Sequence, residues 1–346
     1  MAVVPRLPAP RTPDPRDAPP LRWGVIAPGS IAEGFAAAVR HGTSGTVAAA
    51  GSRSLERARA FVERHGGGTA YGSYEEVVAD PAVDAVYVAS PHSHHLEHAL
   101  LAVEAGKPVL VEKAFTRNAG EARQVLAAAD ARGGFVLEAM WSRFLPHYDV
   151  VRQVVESGLL GELVEVTADH GQGLYPEGPA RLALPALAGG ALLDLGVYPV
   201  SFAAMVLGAV DSVVAVGRLT ELGVDAGDTI VLRGATGAEG RLGTTMLAPT
   251  ACRASVVGTR ARLEVAGTFY QPTSLRLVGR DGEVLDGYDG SLDGEVRGLS
   301  FEAAEVARCL ADGRQESPLL PWSETVRVME LLDEVRRQVG VSYPGE

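Results

Sequence analysis

The stretch Arg22-Trp23-Gly24-Val25-Ile26-Ala27-Pro28-Gly29-Ser30-Ile31-Ala32 decides how the first half of the chain folds. Its apolar residues are typical of a buried strand, and a helical pattern follows after a tight turn. The turn matches G-x-G-x-x-A, except that Ala27 replaces the first glycine. Gly29 lets a pyrophosphate approach the backbone, and the helix that begins at Ser30 and Ile31 offers its N-terminal amides to the same group. The stretch therefore predicts a strand followed by a dinucleotide-binding turn.

Strands and helices alternate from Leu21 to about Trp141. The predicted strands after the first are Thr46–Ala50, Asp84–Ala89, Pro108–Val111 and Phe135–Glu138. Strands that alternate with helices form βαβ units, in which the strands are parallel. We therefore expect residues 21–141 to form an α/β domain with a doubly wound parallel sheet.

The pattern changes after residue 142. Several predicted strands alternate apolar and polar residues, which is typical of an antiparallel sheet with one solvent-facing side. They are Val164–Asp169, Ser212–Leu219, Thr229–Arg233, Arg241–Met246, Ala254–Gly258 and Arg262–Ala266. Helices are predicted at Ala191–Leu207, Phe301–Ala311 and Ser323–Val339. We expect residues 142–346 to form an α+β domain with a large, mostly antiparallel open sheet and with C-terminal helices that pack back.

Composition limits the classes of partner. A chain of 346 residues predicts two domains, and its net charge of -12 argues against nucleic acid or an anionic membrane as a partner. Cys252 and Cys309 match neither a metal site nor a disulfide framework, which favours a reducing, cytoplasmic setting. No apolar run reaches the ~18 residues of a membrane span. Residues 1–20 are rich in Pro and Arg and lack the apolar stretch of a signal peptide, so we expect a disordered tail.

The end of the second strand indicates which dinucleotide binds. NAD enzymes place Asp or Glu about twenty residues after the glycine turn, where it holds the ribose 2′-hydroxyl. Here that place reads Gly51-Ser52-Arg53-Ser54-Leu55-Glu56-Arg57, without a carboxylate at the strand end. Arg53 and Arg57 are suited to charge-assisted bonds with a 2′-phosphate, and Ser52 adds a hydroxyl. The sequence therefore favours NADP(H) over NAD(H), with two solvated arginines as the alternative.

A histidine-rich loop, Ser90-Pro91-His92-Ser93-His94-His95, follows the strand that ends at Ala89. It lies at the carboxyl edge of the sheet, where ligands bind. His94 and His98 are one helical turn apart, so a metal pair is conceivable, but no third ligand is near them in the sequence and we expect no metal. We expect dinucleotide contacts from Ser90, Pro91, His92 and His94, and a helix-surface position for His95 and His98.

Two further strand ends carry side chains that point to chemistry. Glu112 and Lys113 end the strand at Val111, where Lys113 is expected to reach into the cleft and both residues to line the cofactor edge. A simple ion pair at the strand edge is the alternative. Trp141 and Arg143 follow the next strand and are candidates for the substrate pocket. Trp141 is equally suited to the core of the domain junction.

The segment Gly189–Pro199 contains Asp194 and Tyr198, which share a face if the segment is helical. A hydrogen-bonded pair in the core is one interpretation. The other is catalysis. Free tyrosine titrates near pH ~10, but an ammonium about 4 Å away, at an effective dielectric of about 20, stabilises the phenolate by roughly 4 kcal/mol, or about 3 pK units. If the fold brings Lys113 to Tyr198 beside a nicotinamide, the chain is an alcohol or sugar dehydrogenase with Tyr198 as general base and acid.

Together these residues resemble the glucose-fructose oxidoreductase/inositol dehydrogenase (Gfo/Idh/MocA) family over nearly the whole chain, from about Arg22 to the C-terminus. The shared features are the Gly29 turn, Glu112-Lys113, Glu138–Phe144, Gly189–Pro199 and Pro321-Trp322. Within the family, the chain is most similar to the branch of dimeric dihydrodiol dehydrogenases and NADP-dependent D-xylose 1-dehydrogenases. That branch carries Tyr at the position of Tyr198, where many relatives carry His.

The resemblance implies a Rossmann domain followed by an α/β domain whose large sheet commonly forms a dimer interface, and sometimes that of a tetramer. It also implies that Lys113 is the active-site lysine, Tyr198 the proton-transfer residue and Asp194 a partner in the pocket. The expected substrate is a small sugar, polyol or trans-dihydrodiol.

One position departs from the family pattern. The family usually reads Glu-Lys-Pro, often with a cis Lys–Pro peptide, whereas Ala114 follows Lys113 here. A cis bond before a residue other than proline costs about 2.5–4 kcal/mol, so a trans peptide that re-aims Lys113 is an alternative.

Two other functions are compatible with such a chain. A non-catalytic NADP-binding regulator on the same fold would not need Lys113 and Tyr198 together. A different chemistry, such as NAD-dependent glycoside cleavage or biliverdin-type reduction, is the second alternative. The glycoside chemistry would favour NAD, so the 2′-phosphate preference distinguishes it from the dehydrogenase.

Overall fold

The structure, a computed structural model, describes residues 5–292 and 297–346. These residues form two compact units. The first unit comprises residues 13–144 and 297–329, and the second comprises residues 5–12, 145–292 and 330–346.

Strands and helices alternate strictly in the first unit up to Phe144. The strands are β1 (Arg22–Ile26), β2 (Thr46–Gly51), β3 (Thr69–Tyr71), β4 (Ala85–Val88), β5 (Val109–Glu112) and β6 (Val136–Ala139). The helices are α1 (Ser30–Gly42), α2 (Leu55–Arg64), α3 (Tyr74–Ala79), α4 (His95–Glu104) and α5 (Ala119–Asp130).

In the second unit, α6 (Pro146–Glu156) precedes a long strand, and most other strands follow one another directly. The strands are β7 (Leu163–Gly171), β8 (Val210–Leu219), β9 (Asp225–Gly234), β10 (Glu239–Thr245), β11 (Ala254–Gly258), β12 (Ala261–Val265), β13 (Leu275–Gly279) and β14 (Val284–Tyr288). A π-helical turn, Leu192–Gly196, runs into α7 (Val197–Leu207). The chain closes with α8 (Gly298–Ala311) in the first unit and α9 (Trp322–Val339), which contributes to both units.

Within residues 13–144, six strands form one parallel sheet in the order β3-β2-β1-β4-β5-β6. Every residue of β4, β5 and β6 is buried, as expected for strands covered by helices on both faces. The strand order reverses between β1 and β4, and ligands of such sheets bind beside that reversal at the carboxyl ends of the strands. The topology therefore positions the glycine turn after β1 and the histidine loop after β4 at one crevice.

Between residues 145 and 292, eight strands form the second sheet in the order β14-β13-β12-β11-β7-β10-β9-β8. Its neighbouring strands are antiparallel, except for the parallel pair of β7 and β10. Helix α7 packs on one face of β7 and β10. The opposite face exposes Val214, Val216 and Val231. The predicted fold class, a doubly wound parallel sheet plus a mostly antiparallel open sheet, is confirmed.

The segment Pro185–Leu207 is apolar and long enough to cross a membrane. However, 94% of its most apolar window is buried within the protein. A helix that is hydrophobic on all sides is typical of a protein core when other elements surround it. The segment therefore forms the centre of the second unit, and it carries Asp194 and Tyr198.

The N-terminal segment differs from the predicted disordered tail. Residues 1–4 lie outside the described residues, but the Leu7 amide donates to Asp286 at 2.8 Å. The Arg11 guanidinium forms a 2.7 Å ion pair with the buried Asp149. Ala18 packs against α8. Composition could not reveal these anchors, because they lie more than a hundred positions away in the sequence.

The unit boundaries also differ from the predicted division at residues 141 and 142. The chain changes unit at residue 144, and α8 belongs to the first unit rather than to the second. The Ser300 hydroxyl of α8 donates to the Ala38 carbonyl of α1 at 3.0 Å, and Leu299 contacts Gly34. Helix α8 thus covers the helix that follows the glycine turn.

Candidate active site

The glycine turn after β1 has the geometry of a phosphate cradle. Ala27 adopts φ +59°, a left-handed conformation that favours glycine, at the position where the motif usually has its first glycine. Gly29 is different, because its φ of -114° suits any residue. A Cβ built on Gly29 would come no closer than 3.9 Å to a neighbouring atom, the Ala27 carbonyl. The fold does not need glycine at position 29, which fits a position kept clear for a ligand at the N-terminus of α1.

Gly29→Ala is therefore expected to leave stability unchanged and to weaken NADP(H) binding. The added methyl group has room in the protein but would overlap a pyrophosphate on the α1 amides. Overpacking of this kind costs typically 1–3 kcal/mol, which is roughly a 5- to 150-fold loss of affinity. Titration of NADPH fluorescence, combined with thermal unfolding, measures both quantities.

Gly134→Ala is the matched control, because a Cβ there also makes only ordinary contacts, the nearest at 3.5 Å. That variant should bind NADPH like the wild type. Equal affinities of both variants for NADPH would show that the turn does not hold the pyrophosphate.

The end of β2 presents the predicted arginines to solvent. Arg53 and Arg57 are both exposed at the start of α2, whereas Ser52 is 8% exposed. The Ser52 hydroxyl accepts the Ser54 amide at 3.2 Å, and Ser54 caps α2. Two cations therefore flank a capped helix start with no carboxylate at the strand end, which suits a 2′-phosphate.

The histidine loop is more buried than the sequence indicated. The hydroxyl of Ser90 is buried and has no hydrogen-bond partner among the described residues, so it is able to bond a polar group of a ligand. Pro91 is half-buried and His92 is 4% exposed. The Nε2 atom of His92 lies 3.2 Å from the Lys113 carbonyl oxygen, so His92 also holds the chain at Lys113.

The prediction that His95 and His98 lie on the helix surface is wrong. His95 is fully buried, with Nδ1 2.9 Å from the Ala114 carbonyl and Nε2 2.8 Å from the Ser90 carbonyl. Burial lowers its pKa to about 4, so the ring is neutral near pH 7 and has one N–H to donate. That N–H can be donated to only one of the two carbonyls, and the ring lies between the histidine loop and the segment after Lys113.

His98 is 6% exposed, and its ring lies against those of Tyr74 and His94, with centroids 4.6 and 5.7 Å away. Burial, followed by the nearby His94 and Arg53, lowers the pKa of His98 to about 4. No group of three or more His, Cys, Asp or Glu side chains within residues 5–292 and 297–346 has a metal-binding arrangement. The rings of His94 and His98 stack with an interplanar angle of 28°.

Glu112 and Lys113 end β5 at the carboxyl edge of the first sheet. Glu112 is buried, accepts the Tyr87 hydroxyl and accepts the Lys113 amide at 3.2 Å. The Lys113–Ala114 peptide is cis, although the residue that follows Lys113 is alanine. The alternative of a trans peptide is wrong.

The two residues predicted to line the substrate pocket have different environments. The half-buried Trp141 ring lies against Gly298, where an added Cβ would be 2.2 Å from the ring. Arg143 is 1% exposed, and its guanidinium forms a 2.5 Å ion pair with Glu324. Arg143 is thus held by Glu324, and its place in the substrate pocket stays a prediction.

In the second unit, Tyr198 belongs to an aromatic cluster that sequence reasoning did not find. Tyr198 is 6% exposed, and its ring centroid lies 5.3 Å from that of His170 and 4.5 Å from that of Tyr270.

The Nδ1 atom of His170 lies 3.1 Å from the Leu195 carbonyl, which can only accept, and Nε2 lies 2.9 Å from the Gln172 amide nitrogen. This assigns the proton of a neutral His170 to Nδ1. Burial raises the pKa of Tyr270 to about 12.

Asp194 is 7% exposed and pairs with Arg181, whose guanidinium lies 2.9 Å away. Arg181 comes from a short 3-10 turn, Ala180–Ala183, in the loop after β7. No sequence pattern indicates that Asp194 and Arg181 are in contact. In the aromatic cluster around Tyr198, His170 could have been suspected because it directly follows a predicted strand, whereas no pattern indicates Tyr270.

Comparison with known proteins agrees with these features. A model described as "Oxidoreductase family, NAD-binding Rossmann fold" matches residues 21–140, and the "GFO/IDH/MocA C-terminal domain" matches residues 148–264. The D-xylose 1-dehydrogenase (NADP(+)) of Hypocrea jecorina is 37% identical, over 94% of this chain and 93% of that protein. The trans-1,2-dihydrobenzene-1,2-diol dehydrogenase of Homo sapiens is 36% identical, over 94% of this chain and 98% of that protein.

Solved structures give the same result. A 3-ketoreductase from Actinomadura kijaniata, in complex with NADP and TDP-benzene, is 28% identical with a TM-score of 0.82, covering 93% of this chain and 98% of that one. Other structures of that ketoreductase carry a lysine-to-alanine or a tyrosine-to-phenylalanine substitution. The two family models together span both units, and the curated relatives align over almost the entire chain. This chain therefore belongs to the Gfo/Idh/MocA family of oxidoreductases, as an NAD(P)-dependent enzyme of the dehydrogenase/reductase type.

Proposed function

We propose that this enzyme prefers NADP(H) and transfers hydride at a hydroxyl or carbonyl carbon of a sugar, polyol or trans-dihydrodiol, with Tyr198 as general base and acid. The observation that carries the proposal is the aromatic cluster around Tyr198. In that cluster, both ring nitrogens of His170 have hydrogen-bond contacts, and burial keeps Tyr270 protonated. Tyr198 is the phenol of the cluster that we assign to proton exchange with a substrate hydroxyl.

Residues of the first unit would make the coenzyme contacts. The amides at the start of α1 would hold the pyrophosphate, Arg53 and Arg57 the 2′-phosphate, and the histidine loop the rest of the dinucleotide. Bound NADP(H) would supply the acceptor or donor of hydride. The NADP-dependent xylose dehydrogenase and the NADP-bound ketoreductase support this choice of coenzyme.

Side chains of the protein would accept and donate the proton of the substrate hydroxyl. In oxidation, Tyr198 takes the hydroxyl proton while the adjoining carbon loses hydride, and in reduction Tyr198 returns it to the carbonyl oxygen. This role requires the Lys113 ammonium within a few Å of the phenol, because a lone tyrosine with a pKa near ~10 is a poor base at neutral pH. The ion pair with Arg181 would hold Asp194 beside the substrate hydroxyls.

A spectrophotometric panel tests the proposal. NADP+ and NAD+ are each offered with aldoses, polyols and trans-diols, and NADPH is offered with dicarbonyls. We expect turnover with at least one sugar or diol, and with NADP+ well above NAD+. Absence of turnover across the panel, with NADPH bound, would favour a non-catalytic NADP-binding regulator.

The coenzyme preference is expected to depend on Arg53. Arg53→Ala removes a charge-assisted bond worth about 1.5–3 kcal/mol, so KM for NADP+ should rise roughly 10- to 150-fold while KM for NAD+ changes little. Arg59→Ala, at another exposed position of α2, is the control and should change neither constant. An equal rise with both coenzymes would contradict a 2′-phosphate contact.

We further propose that a second copy of the chain docks on the open face of the eight-stranded sheet. Val214 and Val216 of β8 are 60% and 67% exposed there. The same face also carries ion pairs, with Arg241 of β10 2.9 Å from Glu165 of β7, and Arg276 of β13 2.7 Å from Glu264 of β12. A surface that combines apolar residues with both charges can complement itself across a two-fold axis.

Val216→Glu is expected to shift the protein toward the monomer in sedimentation equilibrium, because it places a charge in the apolar part of that face. Leu222→Glu, at a 54% exposed position in the turn between β8 and β9, is the control. An unchanged association constant for Val216→Glu would place the interface elsewhere.

A further inference from the structure

The turn that carries Asp194 begins at a buried carboxylate from another strand. The Leu192 amide donates to Oδ2 of Asp225 at 2.5 Å, and Asp225, on β9, is 1% exposed. The first amides of a helix lack partners within the helix, and a negative charge is favoured at that end. We infer that Asp225 is a positioning residue, whose carboxylate caps the Leu192–Leu207 helix and thereby fixes where Asp194 and Tyr198 point. This inference rests on the function proposed above.

The approach of Asp225 explains a glycine in the Gly189–Pro199 segment. Gly190 has φ +114°, and a Cβ added to it would lie 2.1 Å from Oδ1 of Asp225. The preceding carbonyl, that of Gly189, accepts the Tyr343 hydroxyl at 2.7 Å. The chain is thus held on both sides immediately before the capped turn.

A second buried aspartate, Asp228, lies near Asp225 and affects its charge. The register of β8 and β9 shifts between Asp225 and Gly227, so that Asp225 and Asp228 are both buried although they are three positions apart on one strand. Both carboxyl oxygens of Asp228 are buried, and the carboxyl groups of Asp228 and Asp225 are close enough to form a hydrogen bond with each other. Burial, followed by the charge of Asp225, raises the pKa of Asp228. Burial raises the pKa of Asp225 as well, but the amides of Leu192 and Ala191 oppose that rise. Two adjacent buried carboxyl groups do not both ionise, so Asp225 holds the single negative charge of the pair and Asp228 the proton.

The capped turn is connected to the proton-transfer group. The Leu195 carbonyl within it accepts from His170, and Tyr198 follows two residues after the turn ends at Gly196. π-Helical turns inside α-helices are frequent at functional sites. Loosening the first amide of this turn would move Asp194 and Tyr198 together, and a displacement of about 1 Å at a catalytic group can cost about 100-fold in rate.

The test compares Asp225→Asn with Asp228→Asn. Asparagine at 225 keeps the shape but loses the charge, so we expect kcat to fall roughly 10- to 100-fold, with NADPH affinity within about twofold of the wild type. Asparagine at 228 mimics a carboxyl that is already neutral, so kcat should stay within about threefold. The comparison separates the carboxylate that accepts the Leu192 amide from its buried neighbour on the same strand.

The pH profile of kcat provides a readout specific to positioning. Loss of the Asp225 charge leaves the positive end of the helix uncompensated, which favours the phenolate, so the limb due to Tyr198 should move to lower pH. The titratable and charged groups that face this assembly are Asp194, Arg181, His170, Tyr270, Asp228, Tyr343 and Arg336.

The outcomes are separable. An unchanged kcat and pH profile in a folded Asp225→Asn variant, or equal losses in both variants, would overturn the inference. If Asp225→Asn does not fold, Asp228→Asn alone tests the inference. A kcat of folded Asp228→Asn more than about tenfold below the wild type would overturn the inference, whereas a near-normal kcat would support it. Tyr198→Phe is measured in parallel, and full turnover by that variant would refute the proposed function independently of Asp225.

Discussion

Tyr198→Phe is expected to lower kcat by about 10²- to 10⁴-fold while leaving NADPH affinity unchanged. The substitution removes only the hydroxyl that we propose to exchange a proton with the substrate. The ring packing against His170 and Tyr270 remains, so the second unit should fold normally. The coenzyme contacts that we propose are made by other residues, in the first unit. The measurement is steady-state turnover with the best substrate of the panel, together with NADPH fluorescence titration.

Tyr270→Phe is the matched control. Tyr270 belongs to the same cluster, but burial raises its pKa to about 12, so it does not exchange protons at neutral pH. Its hydroxyl accepts the Gln172 amide at 3.2 Å, and loss of that bond should reduce kcat only slightly. A Tyr198→Phe variant that matches Tyr270→Phe in turnover would rule out Tyr198 as the acid and base.

Lys113→Met is expected to lower kcat at neutral pH by about 10²- to 10³-fold and to move the basic group in the pH profile upward by about 3 units. The sign follows from the charges. An ammonium beside a phenol favours the phenolate and lowers the pKa of the tyrosine, so its removal returns that pKa toward ~10. Activity should therefore recover partly as the pH is raised toward that value.

Lys107→Met is the control for this prediction. The Lys107 ammonium donates to the carbonyls of Asp80 and Val83 at 2.9 and 2.6 Å, before β5 begins, and so serves the fold. Its loss should lower the melting temperature without moving the pH profile. If Lys113→Met loses activity equally at all pH values, Lys113 contributes binding rather than the electrostatic effect proposed for it.

The first sheet was predictable because its signals are local. Apolar runs of strand length, glycines at the turns and helical patterns between them determine a βαβ order without knowledge of any distant contact. The short strand β3 and the strands β13 and β14 were not predicted, since their residues lack a clear alternation. The parallel pairing of β7 with β10 was also not predicted, because strand periodicity does not specify which strands become neighbours.

Candidate site residues were predictable where a residue of suitable chemistry directly follows a strand. Gly29, Arg53 and Lys113 follow directly from strand ends, and the structure places them at the carboxyl edge of one parallel sheet. Arg143 and His95 show the limit of this reasoning. Their environments were predicted from their positions along the chain. In the structure, Arg143 is buried against Glu324 and His95 against the Ala114 carbonyl, and both partners come from other elements.

By itself the sequence determined the two kinds of sheet, the coenzyme turn and the tyrosine on a core helix, because each depends on residues within about one element of one another. Only the tertiary structure decided what surrounds that tyrosine. His170 and Tyr270 come from strand and loop positions 28 residues before and 72 residues after Tyr198, and Asp225 reaches the helix start from 33 residues away. Contacts of this kind depend on strand order and packing, and buried polar groups must find partners wherever the fold brings them together.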